Sequence, residues 1–152
     1  MKSHRIAIRH ARKKEPVLWV IDSEQWPRAC LRAELIERGY DPFGFITIND
    51  ALDSVARGES PKPELIILEL RGQDLSPRSI AAIRNLQIPT IALGGSAELN
   101  EPIIKEQGWE FVFKRPVSLG QIADVVGIYS PPFKGGVAAP KAQTGRLVIS
   151  TK

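Results

Sequence analysis

Two carboxylates close apolar runs in this chain: Asp22 follows the run 17–21, and Glu69 sits near the end of the run 63–70. In an open parallel sheet, ligands and chemistry gather outside the carboxyl ends of the strands, where the connecting loops part. A carboxylate pair there could serve acid–base chemistry, but that requires a further base, nucleophile or metal, and the strand ends supply neither His nor Cys. His4 and His10 lie near the N-terminus without Cys or carboxylate partners at ligand spacing, so no metal site is expected. Gly94-Gly95-Ser96 before a helix could cradle an anion, although Glu98 and Glu101 would repel one; a tight turn is the better reading. The single cysteine, Cys30, excludes an internal disulfide and, with Leu31 and Leu35 nearby on a helix, is expected to be a small core residue.

An alternation of strands and helices positions these groups. Residues 17–21 read as a buried strand, and residues 26–38 as a helix with Pro27 in its first turn and Gly39 as its stop. Residues 43–48 are a second strand, after which Asn49 or Asp50 caps a helix running to about residue 57. The run 63–70 lacks the polar alternation of a half-exposed strand, so it is read as the central strand, covered on both faces. Ser76 and Pro77 open a third helix with Ile80, Ile83 and Leu86 inward. A fourth strand covers 88–93, a short helix runs from residue 100 or 101 to 107, and a fifth strand covers 111–113. Ser118 and Gln121 form a capping box for a last helix with Ile122, Val125 and Val126 inward. Five such alternations predict an α/β fold: a parallel, doubly wound sheet with right-handed crossovers and a helical layer on each face.

The chain has 152 residues, 43% of them hydrophobic, enough for one core and too few for two ordinary domains. The domain is assigned to 16–129, preceded by an arm (1–15) and followed by a linker and tail (130–152) rich in Pro, Gly and Ala, whose residues 146–150 can add an edge strand. Residues 1–15 carry six Lys/Arg against one Glu, and 129–152 carry four against no acid; the residues between hold eleven basic and sixteen acidic groups. The basic character therefore belongs to the ends. They could hold nucleic acid weakly and without sequence preference. No membrane span or signal-peptide core is present in the sequence, which leads us to expect a cytoplasmic protein.

The order and spacing of several motifs resemble the receiver domains of two-component response regulators, the flavodoxin-like (βα)5 phosphoacceptor modules of bacterial signalling. Leu18-Trp-Val-Ile-Asp22-Ser23-Glu24 is similar to the family's acidic first-strand motif, and Arg38-Gly39-Tyr40 to the end of its first helix. The run 63–70 corresponds to the strand ending in the phosphoacceptor, Ile88-Pro89-Thr90 to the fourth-strand opening, and 108–116, ending in Arg115-Pro116, to the fifth-strand Lys-Pro motif.

The resemblance also shows where this chain departs from the pattern. The acidic pair that holds Mg²⁺ becomes Asp22 and Ser23, which removes a charged oxygen from a hard cation. Glu69 replaces the phosphoacceptor aspartate, and its extra methylene occupies the space of a phosphoryl group. The hydroxyl position becomes Gly94, the aromatic switch position becomes Val112, and the lysine becomes Arg115, a fork suited to gripping a carboxylate. Gln73 and Pro77 stand where Met-Pro and Gly would be usual. The resemblance further implies a cis Arg115–Pro116 bond and a Glu69–Arg115 contact between strands expected to be neighbours. Together these imply a degenerate, phosphorylation-independent pseudo-receiver without cofactor or enzymatic activity. It would bind a protein partner through its fourth helix, fifth strand and fifth helix, with a homodimer as a further option. The alternatives are a receiver with residual phosphoacceptor function and a nucleic-acid-associated regulator using the basic tails.

Overall fold

A computed structural model describes residues 15–132 and the backbone of 148–150. The basic arm up to residue 14 and most of the linker, with the nucleic-acid and linker expectations attached to them, lie outside the described residues. The sheet has six parallel strands: β1 (Val17–Ile21), β2 (Asp41–Phe45), β3 (Leu65–Glu69), β4 (Thr90–Gly94), β5 (Phe111–Lys114) and β6 (Val148–Ser150), in the order β2-β1-β3-β4-β5-β6. β3 lies in the interior of the sheet, and all five of its residues are buried, as its unbroken apolar run requires.

Successive β3 residues feed opposite faces. Leu65 and Ile67 join a core with Leu31, Leu35, Ile122 and Val126 from α1 (Gln25–Glu37) and α6 (Leu119–Tyr129). Ile66 and Leu68 join a second core with Ile48, Ala51, Ile80, Ile83 and Ile104 from α2 (Ile48–Ala56), α3 (Pro77–Arg84) and α5 (Pro102–Lys105). The result is the three-layer, doubly wound flavodoxin-like arrangement that the alternation predicted.

Local differences from the sequence reading have identifiable causes. The α2 cap is Thr47, whose hydroxyl accepts the Asp50 N–H at 3.0 Å, two or three residues before the expected Asn49 or Asp50. The helix expected from residue 100 or 101 to 107 is the shorter α5, and a separate helical turn, α4 (Ser96–Leu99), precedes it. Pro102 cannot continue α4 but is well placed to open α5. Cys30 is exposed rather than buried: α1 turns Leu31 and Leu35 to the core, and Cys30 falls on the opposite side. β6 pairs with β5 through Val112–Val148, Phe113–Ile149 and Lys114–Ser150.

Candidate functional site

Asp22, Glu69 and Arg115 converge at the C-terminal ends of β1, β3 and β5. Glu69 is buried, 2% exposed, on the face of β3 that also carries Ile67. Its Oε2 accepts the Arg71 N–H at 3.1 Å, and its Oε1 receives Arg115 Nε at 2.6 Å together with the neighbouring Nη2 of the same guanidinium. The strands are not neighbours, as the sequence reading had it: β4 lies between β3 and β5. The contact therefore spans two strand spacings, about 10 Å, which the long Arg and Glu side chains cover together. Both guanidinium nitrogens meet one carboxylate oxygen, which leaves the other for the backbone. Burial raises the Glu69 carboxyl above the usual carboxylate range, while the Arg115 charge opposes the rise. The Arg115–Pro116 peptide is cis.

Beside this pair, Asp22 is 5% exposed and accepts the Glu24 N–H at 2.9 Å. Arg71 brings its Nη2 to 3.6 Å from Asp22 Oδ1 and its Nε to 3.4 Å from Glu24 Oε2; these are charge contacts, since neither nitrogen has a hydrogen-bond partner. Ser23 turns away from the carboxylates and donates its hydroxyl to the Arg71 carbonyl at 3.2 Å. Gly94 ends β4 and, as a glycine, offers no hydroxyl there; a Cβ would make ordinary contacts with Glu98, Leu70 and Leu99 at 3.4–3.5 Å. The Gly95 N–H is taken by the Glu98 carboxylate at 2.9 Å, which supports the turn reading over an anion cradle. A cavity of about 50 Å³, lined by Val20, Asp22, Ile67, Glu69, Leu93 and Arg115 among others, lies under the pair. It has room for a few waters and is far smaller than the roughly 300 Å³ of a small-molecule site.

No protein-family model matches the sequence, and no curated protein matches it. Solved structures do. A receiver protein from Pseudomonas putida superposes with a TM-score of 0.64 at 24% identity, covering 76% of this chain and 98% of that one. The receiver domain of a Francisella response regulator gives 0.60 at 18% identity, covering 75% and 95%. A receiver domain from Clostridium thermocellum gives 0.61 at 16% identity, covering 74% and 91%. The fold is that of a response-regulator receiver domain. In a receiver, the crevice described above would hold a divalent cation, and the residues here do not fit one. The Arg71 guanidinium lies against Asp22, Ser23 faces a carbonyl, and among the described residues no three His, Cys, Asp or Glu side chains are grouped to hold a metal.

Two contributors to this receiver-fold crevice were not assigned roles from the sequence. Arg71 lies two residues beyond Glu69 in a loop, and only the fold reveals that it turns back onto Asp22 and Glu24. Gln73 receives the Ile48 N–H at 3.0 Å and donates to the Ile46 carbonyl at 2.8 Å, tying the loop after β3 to the loop after β2. An arginine or glutamine in a strand-end loop carries no periodic signal that sequence reading could use.

Proposed function

We propose that the chain acts as a pseudo-receiver, a phosphorylation-independent protein–protein interaction module of bacterial signal transduction or transcription control, without enzymatic activity of its own. The observation that carries this reading is the Glu69–Arg115 ion pair, which lies across the crevice where a phosphoryl group would otherwise enter. Phosphoryl transfer needs an open in-line approach and a cation on the phosphoryl oxygens. The buried carboxylate leaves no such approach, and Arg71 occupies the neighbourhood of Asp22 that a cation would need. The partner-binding side is assigned to α5, β5 and α6, with β6 lying along the β5 edge. Binding to nucleic acid, where it occurs, is weak, nonspecific and carried by the basic ends, so it falls steeply with salt.

Incubation with a small acyl phosphate and Mg²⁺, followed by intact-mass measurement, tests the central claim. The mass is expected to stay unchanged. A stoichiometric, hydroxylamine-labile phosphate on Asp22 or Glu69 would overturn the reading and restore a phosphoacceptor.

A further inference from the structure

The outward face of α1 carries an apolar stripe from Trp26 to Ile36. Trp26 is 77% exposed and Ile36 is 55% exposed, and between them Ala29, Cys30 and Ala33 are also exposed. The opposite side of the helix sends Leu31 and Leu35 into the core. A solvated helix face ordinarily carries charge, so an uninterrupted apolar stripe of this kind marks a contact surface.

The spacing of the stripe allows a helix-on-helix contact. Trp26, Ala29, Ala33 and Ile36 follow one another by three, four and three residues, the a-d-a-d seam of a two-stranded coiled coil, with the small residues in the middle permitting close approach. On this register Arg32 stands at a g position and Glu37 at the e position five residues later, the pair that meets between helices when two copies run parallel. Arg32 spends its Nε on the Pro42 carbonyl at 3.2 Å, and among the described residues neither Arg32 nor Glu37 has an ion-pair partner. Each copy thus carries both halves of the complement, and a two-fold axis along the helix forms the pair twice. An antiparallel arrangement would bring g against g and set Arg32 near its own copy, so the charges select the parallel one.

We infer that α1 is the seat of a second copy of this chain, the two α1 helices lying parallel about a two-fold axis, with Trp26, Ala29, Ala33 and Ile36 in the seam and Arg32 facing Glu37 of the other copy. This rests on neither the crevice nor the function proposed above. A seam of about 17 Å on one helix face belongs with weak, concentration-dependent contacts rather than with the stable class above roughly 1,200 Å².

Sedimentation of the full chain over a concentration series tests it. The average mass is expected to rise with concentration towards that of a dimer. Arg32→Glu and Glu37→Arg should each weaken association about five-fold, through two lost pairs and two repulsions. Arg32→Glu combined with Glu37→Arg should restore it. In a Cys30→Ser background, Ala33→Cys should form an interchain disulfide on mild oxidation, because a positions face each other only in the parallel pair. These are surface or half-exposed positions, and unchanged thermal midpoints establish that the variants fold. A monomer at every concentration, a dimer indifferent to the charge reversals, or the absence of the Ala33→Cys cross-link overturns the inference.

Discussion

Replacing Arg115 by alanine asks whether the crevice is held by its ion pair. Glu69 is 2% exposed and keeps only the Arg71 N–H as a direct hydrogen-bond partner once the guanidinium is gone. Removing one member of a fully buried pair costs roughly 3–5 kcal/mol. The Arg115 side chain is 30% exposed, so water can follow where it leaves, and about 2–3 kcal/mol is expected at pH 8. The cost depends on pH with a definite sign. The folded-state carboxyl of Glu69 is raised by burial, so its stabilising share is complete below the ordinary carboxylate range and is lost as pH rises through the folded value. Arg115 is the largest influence holding that value down, so its removal shifts the loss to higher pH and enlarges it, by at most about 1.4 kcal/mol per pH unit. Urea denaturation of wild type and Arg115→Ala should therefore show a gap that is small at pH 5 and wide at pH 8. Adding Glu69→Gln should remove the pH dependence, since an amide does not titrate. An equal gap at both pH values would refute the reasoning.

Other residues give independent tests. Gly72 has φ +79°, and a Cβ there would come within 2.3 Å of Ser23 Oγ, whereas Gly58 has φ +73° and open space around it. Gly72→Ala should therefore cost about 1–2 kcal/mol more than Gly58→Ala, which bears only the backbone penalty of about 1 kcal/mol; equal thermal shifts would contradict the ligation of Ser23 to the Arg71 loop. Tyr40 donates to the Ser130 carbonyl at 2.6 Å, and burial pushes its phenol up to about 12, so ultraviolet titration should show one tyrosine ionising near that value, with stability lost as pH rises through it. Tyr40→Phe leaves that carbonyl unmet and should cost about 1–2 kcal/mol in urea denaturation. Glu69→Ala should destabilise more than the exposed control Glu59→Ala by the same measurement. Arg38 is 35% exposed between Glu34 and Asp124, and Arg38→Ala should cost less than about 1 kcal/mol.

Much of this arrangement was legible because it rests on local chemistry. The apolar run containing Leu65–Glu69 could only be an interior strand, and Ser76-Pro77 and Ser118 with Gln121 mark helix starts by groups that satisfy free N–H donors. Glu69 and Arg115 were paired through the resemblance to receivers, but the fourth strand, read at 88–93, was not placed between theirs, because neither residue records how many strands separate them. Cys30 was misplaced because its two leucine neighbours are consistent with either side of a helix until the core side is known. Arg71 escaped notice for a related reason: a cation in a loop of a chain with 21 Lys and Arg is unremarkable until the turn after β3 aims it at Asp22.

That turn completes the chemical character of the crevice. Two carboxylates, Asp22 and Glu69, face two guanidinium groups, Arg71 and Arg115, with Glu24 on the outer side of Arg71. A crevice built to take up a divalent cation and a phosphoryl group must keep surplus acceptors for the one and vacant space for the other. Here each buried carboxylate has an arginine of this chain beside it. Guanidinium groups do not lose their charge at physiological pH and cannot diffuse away, unlike a metal ion or a phosphoryl group. On the pseudo-receiver reading proposed above, the compensation stays with the chain, where the cation and phosphoryl group of a receiver would come and go.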